Sequence, residues 1–169
     1  MDTNDTEQLV TRTGVVLHVR RARAEDAAAL AAFFRQVTSE DLRFRFLTSV
    51  REVGADRLAM MTAPDARTDS FLALNEQGEL LATALLAGDP ERPRGEVAVT
   101  IRSDHKARGI GWTLLDHLVT VARRRGYRVI ESLEDRDNQT AIALEREMGF
   151  AAIPVEGEPT LLLIRRELD

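Results

Sequence analysis

The sequence has no cysteine, which excludes disulfide bridges, thiolate metal sites and a cysteine nucleophile. It has only three histidines, His18, His105 and His117, and their spacing fits no metal-binding motif. We therefore expect its chemistry to use neither a metal ion nor a thiol of the protein's own.

Long apolar runs are also missing. No stretch approaches the roughly 20 apolar residues that a membrane span needs, and the first ten residues, MDTNDTEQLV, lack the basic and apolar segments of a signal peptide. The 169 residues, of which 44% are hydrophobic and 30% charged, are typical of a soluble globular protein. We expect a cytoplasmic protein with a flexible tail over residues 1–14 and a single domain over residues 15–169.

Acidic residues outnumber basic ones in the chain as a whole, 28 to 23. The net charge of −5 argues against a nucleic-acid binder, because binding to a phosphate backbone needs a broad basic surface. Residues 102–128 nevertheless hold seven basic and two acidic side chains, a local charge of +5. This concentration predicts a small anionic ligand in that region.

The same region reads as a strand, a glycine-containing loop and a helix. Alternation predicts a strand over residues 96–102, the loop is KARGIG over residues 106–111, and helical spacing of apolar residues continues to residue 125. Gly109 and Gly111 let the backbone approach an anion closely, and the unpaired N–H groups at the helix start favour phosphate. The GxGxxG fingerprint and the P-loop are both absent, because neither the third glycine nor GK[ST] follows.

Two motifs in this order resemble those of the GNAT N-acetyltransferases. The first is (Gln/Arg/Lys)-x-x-Gly-x-Gly, the family's acetyl-CoA-binding motif, which is similar to residues 106–111 with Lys106 at its head. The second is Asn-x-x-Ala-x-x-Leu followed by Gly-Phe, which is similar to NQTAIAL over residues 138–144 and to Gly149-Phe150. The resemblance covers roughly residues 15–166 and implies acetyl-CoA as co-substrate.

The order of predicted elements agrees with the α/β (α+β) GNAT fold. This fold has a mixed, mostly antiparallel sheet of six to seven strands that is flanked by helices and splayed at its central strand. Periodicity and turn residues predict helices over residues 27–37, 38–46, 52–61 and 138–148 besides the one that ends at residue 125. They predict strands over residues 15–23, 71–75, 79–87, 96–102, 127–133, 150–154 and 160–166.

The resemblance also implies which residues bind acetyl-CoA. Backbone N–H groups of the loop and helix start would bind the pyrophosphate, and the pantetheine arm would pair with the strand near Val99 and Ile101. Asn138 would bond the pantetheine, or would only cap its helix. The pyrophosphate-binding residues are Lys106, Ala107, Arg108, Gly109, Ile110, Gly111 and Trp112.

Glu96 is the candidate general base. An acceptor lysine with a pKa near 10.4 must lose a proton before it attacks, and strand alternation separates Glu96 from Val97 and Val99. A solvated glutamate at a strand end is the alternative. Many GNAT enzymes carry a tyrosine directly after the leucine of the second motif, where it can protonate the leaving thiolate, but here that residue is Glu145. No general acid is assigned.

The acceptor is less well specified than the acetyl donor. TSEDLRFRFL over residues 38–47 and GEVAVTIR over residues 95–102 look most like the Pat-type bacterial protein lysine acetyltransferases, which implies a protein lysine as acceptor. A small amine or amino acid is the second hypothesis, and a non-catalytic acyl-CoA sensor is the third. A homo-oligomer stays open.

Overall fold

The computed structural model describes residues 5–47 and 52–169. Within them the chain forms one eight-stranded sheet in the order β1-β2-β3-β4-β5-β6-β8-β7, flanked by five α-helices. The strands are β1 (Thr6–Val10), β2 (Val16–Arg21), β3 (Thr68–Leu74), β4 (Leu80–Gly88), β5 (Arg94–Ile101), β6 (Val129–Asp135), β7 (Ala151–Val155) and β8 (Glu158–Glu167). The helices are α1 (Ala27–Phe34), α2 (Ser39–Phe46), α3 (Ala55–Thr62), α4 (Ile110–Arg124) and α5 (Gln139–Glu147). None of these helices is both long and apolar enough to cross a bilayer.

The predicted GNAT fold is confirmed, but the sheet has one strand more than expected. Thr6–Val10 pairs with Val16–Arg21 as an antiparallel edge strand, so the expectation of a flexible tail over residues 1–14 is wrong for this segment. Only Leu9 of the five residues packs against the core. The strand is held mainly by backbone hydrogen bonds to β2. Such bonds do not depend on the side chains, so the sequence shows little of the hydrophobic alternation that would predict a strand.

Two apolar layers cover the two faces of the sheet. Helix α4 follows its predicted spacing, and Leu114, Leu118 and Ala122 are completely buried against the central strands. On the other face, α1 and α3 pack Leu30, Phe33 and other residues against Leu72 of β3. The side chains of Val97, Val99 and Ile101 belong to the α4 layer, so alternation along β5 directs Glu96 to the opposite face.

The splay predicted for the central strand is present between β5 and β6. These two strands pair in parallel over only three residues, with Arg94, Gly95 and Glu96 opposite Val129, Ile130 and Glu131. Beyond Glu96, β5 continues beside β4 to Ile101, while β6 continues beside β8 to Asp135. The sheet therefore opens into a wedge-shaped cleft in its middle.

Tyr127 packs at the closed end of this wedge. A Cβ atom at Gly95 would lie 3.1 Å from its ring, and one at Gly88 would lie 2.0 Å from its hydroxyl oxygen. Gly88 and Gly95 are directly opposite each other on β4 and β5. The two missing side chains thus make the space in which Tyr127 lies.

Candidate active site

A cavity of about 220 Å³ occupies the cleft between β5 and β6. Helix α2 contributes to its wall on one face of the sheet, and the start of α4 and helix α5 contribute on the other. Six of the predicted site residues line it: Glu96, Val99, Ile101, Lys106, Gly111 and Asn138. Ala107, Arg108, Gly109, Ile110 and Trp112 belong to the adjoining loop and helix start.

The loop that precedes α4 adjoins the cleft, and Lys106 and Gly111 at its two ends line the cavity. Ala107 and Gly109 have left-handed φ angles of 61° and 80°, and Gly109 is the N-cap residue of α4. No side chain caps this helix, so its first N–H groups are not satisfied by a side-chain oxygen. Gly111 lies close to α5, because a Cβ atom there would come within 3.2 Å of the side chain of Leu144. This geometry suits an anion at the N-terminus of α4.

The turn between β1 and β2 supports this loop from behind. The Thr13 hydroxyl donates a hydrogen bond of 2.5 Å to the carbonyl of Arg108, and Thr11 lies 3.4 Å from the place of a Cβ on Gly109. The Arg12 guanidinium stacks 4.8 Å above the Trp112 ring and pairs with Glu147 of α5 at 2.9 Å. The sequence analysis missed this contact, because residues 11–13 are polar and distant along the chain.

Part of the positive charge near the loop is compensated locally. The Lys106 ammonium donates to Asp41 of α2 at 2.6 Å, so this pair joins the two faces of the cleft. Arg102 is buried and donates to Asp104 at 2.7 Å, and it holds the pKa of that carboxyl well below its usual range, with a further contribution from His105. The Arg108 side chain is exposed. Arg102 therefore stabilises the turn, while Lys106 and Arg108 remain near the proposed phosphate position.

Glu96 lies on the α2 face of the cleft with its side chain exposed. Arg45 of α2 lines the same cavity, and it was not among the predicted site residues. Burial lowers the pKa of the Arg45 guanidinium, and the charge of Glu96 partly opposes that shift. The Arg45 guanidinium also lies 4.8 Å from the centre of the Phe46 ring. A cation thus faces the candidate base across the cleft.

Asn138 does not cap its helix with its side chain. It occupies the N-cap position of α5, but its amide nitrogen donates to Glu134 of β6 at 3.2 Å instead. Asn138 is therefore at the cap position that the alternative expected, but its side chain makes no capping hydrogen bond. Its side chain lies in the cleft, where its role in binding pantetheine stays a prediction.

A carboxyl pair in the cleft was also missed. Glu145 of α5 is 4% exposed, lines the cavity and interacts with Glu134 of β6. Burial, the charge of Glu134 and a hydrogen bond between the two carboxyl groups raise the pKa of Glu145. One sign of this pair is visible in the sequence, a glutamate three residues after Ile142 on the buried face of α5.

Comparison with known proteins agrees with this geometry. The Acetyltransferase (GNAT) family model matches residues 33–150. The chain is 31% identical to acetyltransferase PA5475 of Pseudomonas aeruginosa over 136 residues, which are 78% of this chain and 73% of that protein. It is 27% identical to the L-amino acid N-acyltransferase MnaT of Escherichia coli over 139 residues, 79% of each chain.

A solved structure is similar over almost the whole length. The GNAT domain of PAT from S. lividans superposes with a TM-score of 0.88 at 25% identity, and the match covers 96% of this chain and 97% of that domain. Fold, cleft and family model therefore agree. The chain belongs to the GNAT family of acetyltransferases.

Proposed function

We propose that this protein transfers an acetyl group from acetyl-CoA to a primary amine through the cleft between β5 and β6. The observation that carries the proposal is the opening of the sheet after Glu96, with the uncapped start of α4 on one face and Glu96 on the other. Acetyl-CoA would enter from the face that carries α4 and α5. The amine would enter from the face that carries α2.

Backbone groups would provide most of the contacts to acetyl-CoA. The N–H groups between Lys106 and Trp112 would bind the pyrophosphate at the positive end of the α4 dipole. The amides of the pantetheine arm would pair with β5 near Val99 and Ile101, where β6 has already diverged. The N–H group near Val99 would then stabilise the oxyanion that forms from the thioester carbonyl.

Glu96 would serve as the general base. Freeing the lone pair of a lysine ammonium near neutral pH costs about 4 to 5 kcal/mol. A carboxylate next to the amine lowers this cost, either directly or through one ordered water. Its position on the amine side of the cleft is the reason to assign this role to Glu96.

A lysine side chain of another protein is the acceptor that we propose. The resemblance of residues 38–47 and 95–102 to Pat-type enzymes supports it. Phe44 and Leu47 of the α2 segment line the cavity and offer an apolar surface to the methylene groups of a lysine.

An α-amino acid is a second candidate, because of Arg45. A guanidinium that faces Glu96 could bind the carboxylate of an amino acid and bring its amine to the base. The similarity to MnaT, whose name describes an L-amino acid N-acyltransferase, points the same way.

Thiol release from acetyl-CoA with three groups of acceptors tests these proposals. We expect turnover with lysine-containing proteins or peptides. Turnover with L-amino acids alone, lost in Arg45→Gln, would replace the lysine proposal with the second candidate, and turnover with polyamines alone would contradict both. Saturable binding of acetyl-CoA without turnover of any acceptor would indicate an acyl-CoA sensor and contradict the transfer reaction.

A further inference from the structure

Glu145 is a buried carboxyl group that the transfer reaction described above leaves without a role. It is 4% exposed and lines the cleft, and its Oε1 atom accepts no hydrogen bond from any donor in residues 5–47 and 52–169. A charged carboxylate in such a position would lose hydration without compensation. The site therefore favours a neutral, protonated carboxyl group.

The neighbour of Glu145 supports this protonation state. Glu134 accepts hydrogen bonds from the Ser132 hydroxyl at 2.8 Å and from the Asn138 amide at 3.2 Å. Two donors stabilise the charged form of Glu134, whereas Glu145 has no such donors at Oε1. Burial and the adjacent carboxyl group of Glu134 both disfavour a charged Glu145, so Glu145 keeps its proton.

Glu145 and Glu96 lie on opposite faces of the opened sheet. Glu96 faces α2, whereas Glu145 is on α5, beside the start of α4, where Leu144 approaches Gly111. If acetyl-CoA enters past the glycine loop, its carbonyl carbon would meet the amine while its sulfur atom is still on the α5 side of the cleft. The base and the protonated carboxyl are thus on the sides where an amine loses its proton and a thiolate departs.

We propose that Glu145 is the general acid that protonates the sulfur of coenzyme A as it leaves. This role rests on the proposed acetyl transfer. No tyrosine can replace Glu145, because the single tyrosine of the chain, Tyr127, packs over Gly88 and Gly95 at the closed end of the cleft.

The proton and electron balance of this step is complete. After an ammonium proton passes to Glu96 or its water, the amine lone pair forms the C–N bond, and the carbonyl π pair moves to oxygen. The second amine proton leaves by the same route. The oxyanion then re-forms the C=O bond, the C–S pair moves to sulfur, and the carboxyl proton of Glu145 joins that sulfur. The carboxylate of Glu145 regains a proton from solvent, and the overall reaction releases one proton.

Besides Glu134 and Glu145, four charged groups of the described residues line the cleft and are alternative proton donors. Asp41 and Lys106 pair with each other at 2.6 Å, and Arg45 faces Glu96 on the α2 face. None of the four lies on α5 or on the α5 face of β6. Glu134 does, but two hydrogen-bond donors stabilise its charged form.

The test compares Glu145→Gln with Glu156→Gln, a control in the exposed turn between β7 and β8. We expect Glu145→Gln to lower kcat about 10- to 100-fold, the lower part of the general-acid range, because a thiolate is a weak base. The Kd for acetyl-CoA should stay unchanged. The wild-type kcat should fall at high pH as Glu145 ionises, and this fall should be absent from the variant. Glu156→Gln should match the wild type in both respects.

Glu134→Gln provides a second test that does not require removal of the acid. Without the negative neighbour the pKa of Glu145 should drop, so the fall of kcat should begin at a lower pH. An unchanged kcat and pH profile in Glu145→Gln, while the wild type turns over, would overturn this role alone. Absence of turnover in the wild-type protein would overturn the proposed transfer reaction and this role together.

Discussion

Glu96 shows how much a single residue can be assigned from its position in a strand. Its neighbours Val97 and Val99 contribute to the buried layer under α4, and alternation leaves Glu96 on the opposite side of β5. The sequence was sufficient for this, because a period of two is a strong signal. The sequence could not reveal Arg45, because its approach to Glu96 depends on how α2 packs against β5.

Replacement of Glu96 by glutamine should lower kcat about 100-fold or more, as expected for loss of a general base. The shape of the side chain is retained, and Glu96 is not among the groups proposed to bind acetyl-CoA, so the Kd for acetyl-CoA should change little. Steady-state kinetics and calorimetric titration measure the two quantities. Glu76→Gln, at an exposed turn between β3 and β4, is a suitable control. An unchanged kcat would assign the proton transfer to another group.

Glu145 should also affect the pH dependence of stability. Its pKa is raised in the folded protein, so the folded chain keeps a proton that the unfolded chain loses above about pH 4.3. The stabilisation is complete below that pH and decreases as the pH rises towards the folded pKa, by up to about 1.4 kcal/mol per pH unit.

Glu145→Gln should therefore become progressively more stable than the wild type as the pH increases. Denaturant unfolding of both proteins at about pH 5 and about pH 8 measures the difference in the free energy of unfolding. Equal differences at the two pH values would show that Glu145 ionises normally in the folded protein.

The glycine loop and α4 show which kind of secondary structure the sequence predicts well. Strand, loop and helix could be predicted together, because alternation, two glycines and helical spacing follow one another without a gap. The edge strand β1 could not, since its five residues include only one that packs on the core. The contact of residues 11–13 with the loop depends on that strand, so it was missed as well.

Gly109→Ala tests whether the left-handed N-cap of α4 matters for binding. An alanine at a φ of 80° costs about 1 to 3 kcal/mol, and relief of this strain would move the loop away from its binding geometry. We expect a lower free energy of unfolding and a higher Kd for acetyl-CoA. Gly126→Ala is the matched control, because Gly126 follows the other end of α4 with a φ of 79° and open space around it.

The control should lose a similar amount of stability and keep its affinity for acetyl-CoA. Thermal unfolding and calorimetric titration of the two variants separate the effects. If both variants bind acetyl-CoA as tightly as the wild type does, the conformation of the loop is not part of the binding site.

The molecule as a whole is negatively charged, but the region of the proposed phosphate position carries basic side chains. The chain carries −5 in total, whereas Lys106 and the exposed Arg108 lie beside the proposed phosphate position. The Debye length is about 10 Å at 0.1 M and shortens as salt is added, which weakens the attraction between exposed charges. The Kd for acetyl-CoA should therefore rise with ionic strength. Arg108→Gln should raise the Kd at low salt and reduce the slope, which titrations at several salt concentrations measure. A Kd independent of salt would contradict an electrostatic contribution.

The short pairing of β5 with β6 divides the sheet into a five-stranded part and a three-stranded part that share only three residue pairs. Past Glu96, backbone groups on the facing edges of β5 and β6 have no partner strand in the part of the chain that the structure describes. An extended molecule with amides of its own could complete this interrupted ladder, as an additional strand does in a peptide complex. In hydrogen-exchange measurements, amides in residues 97–101 and 132–135 should exchange more slowly once coenzyme A fills the gap, while those of β3 and β4 stay unaffected.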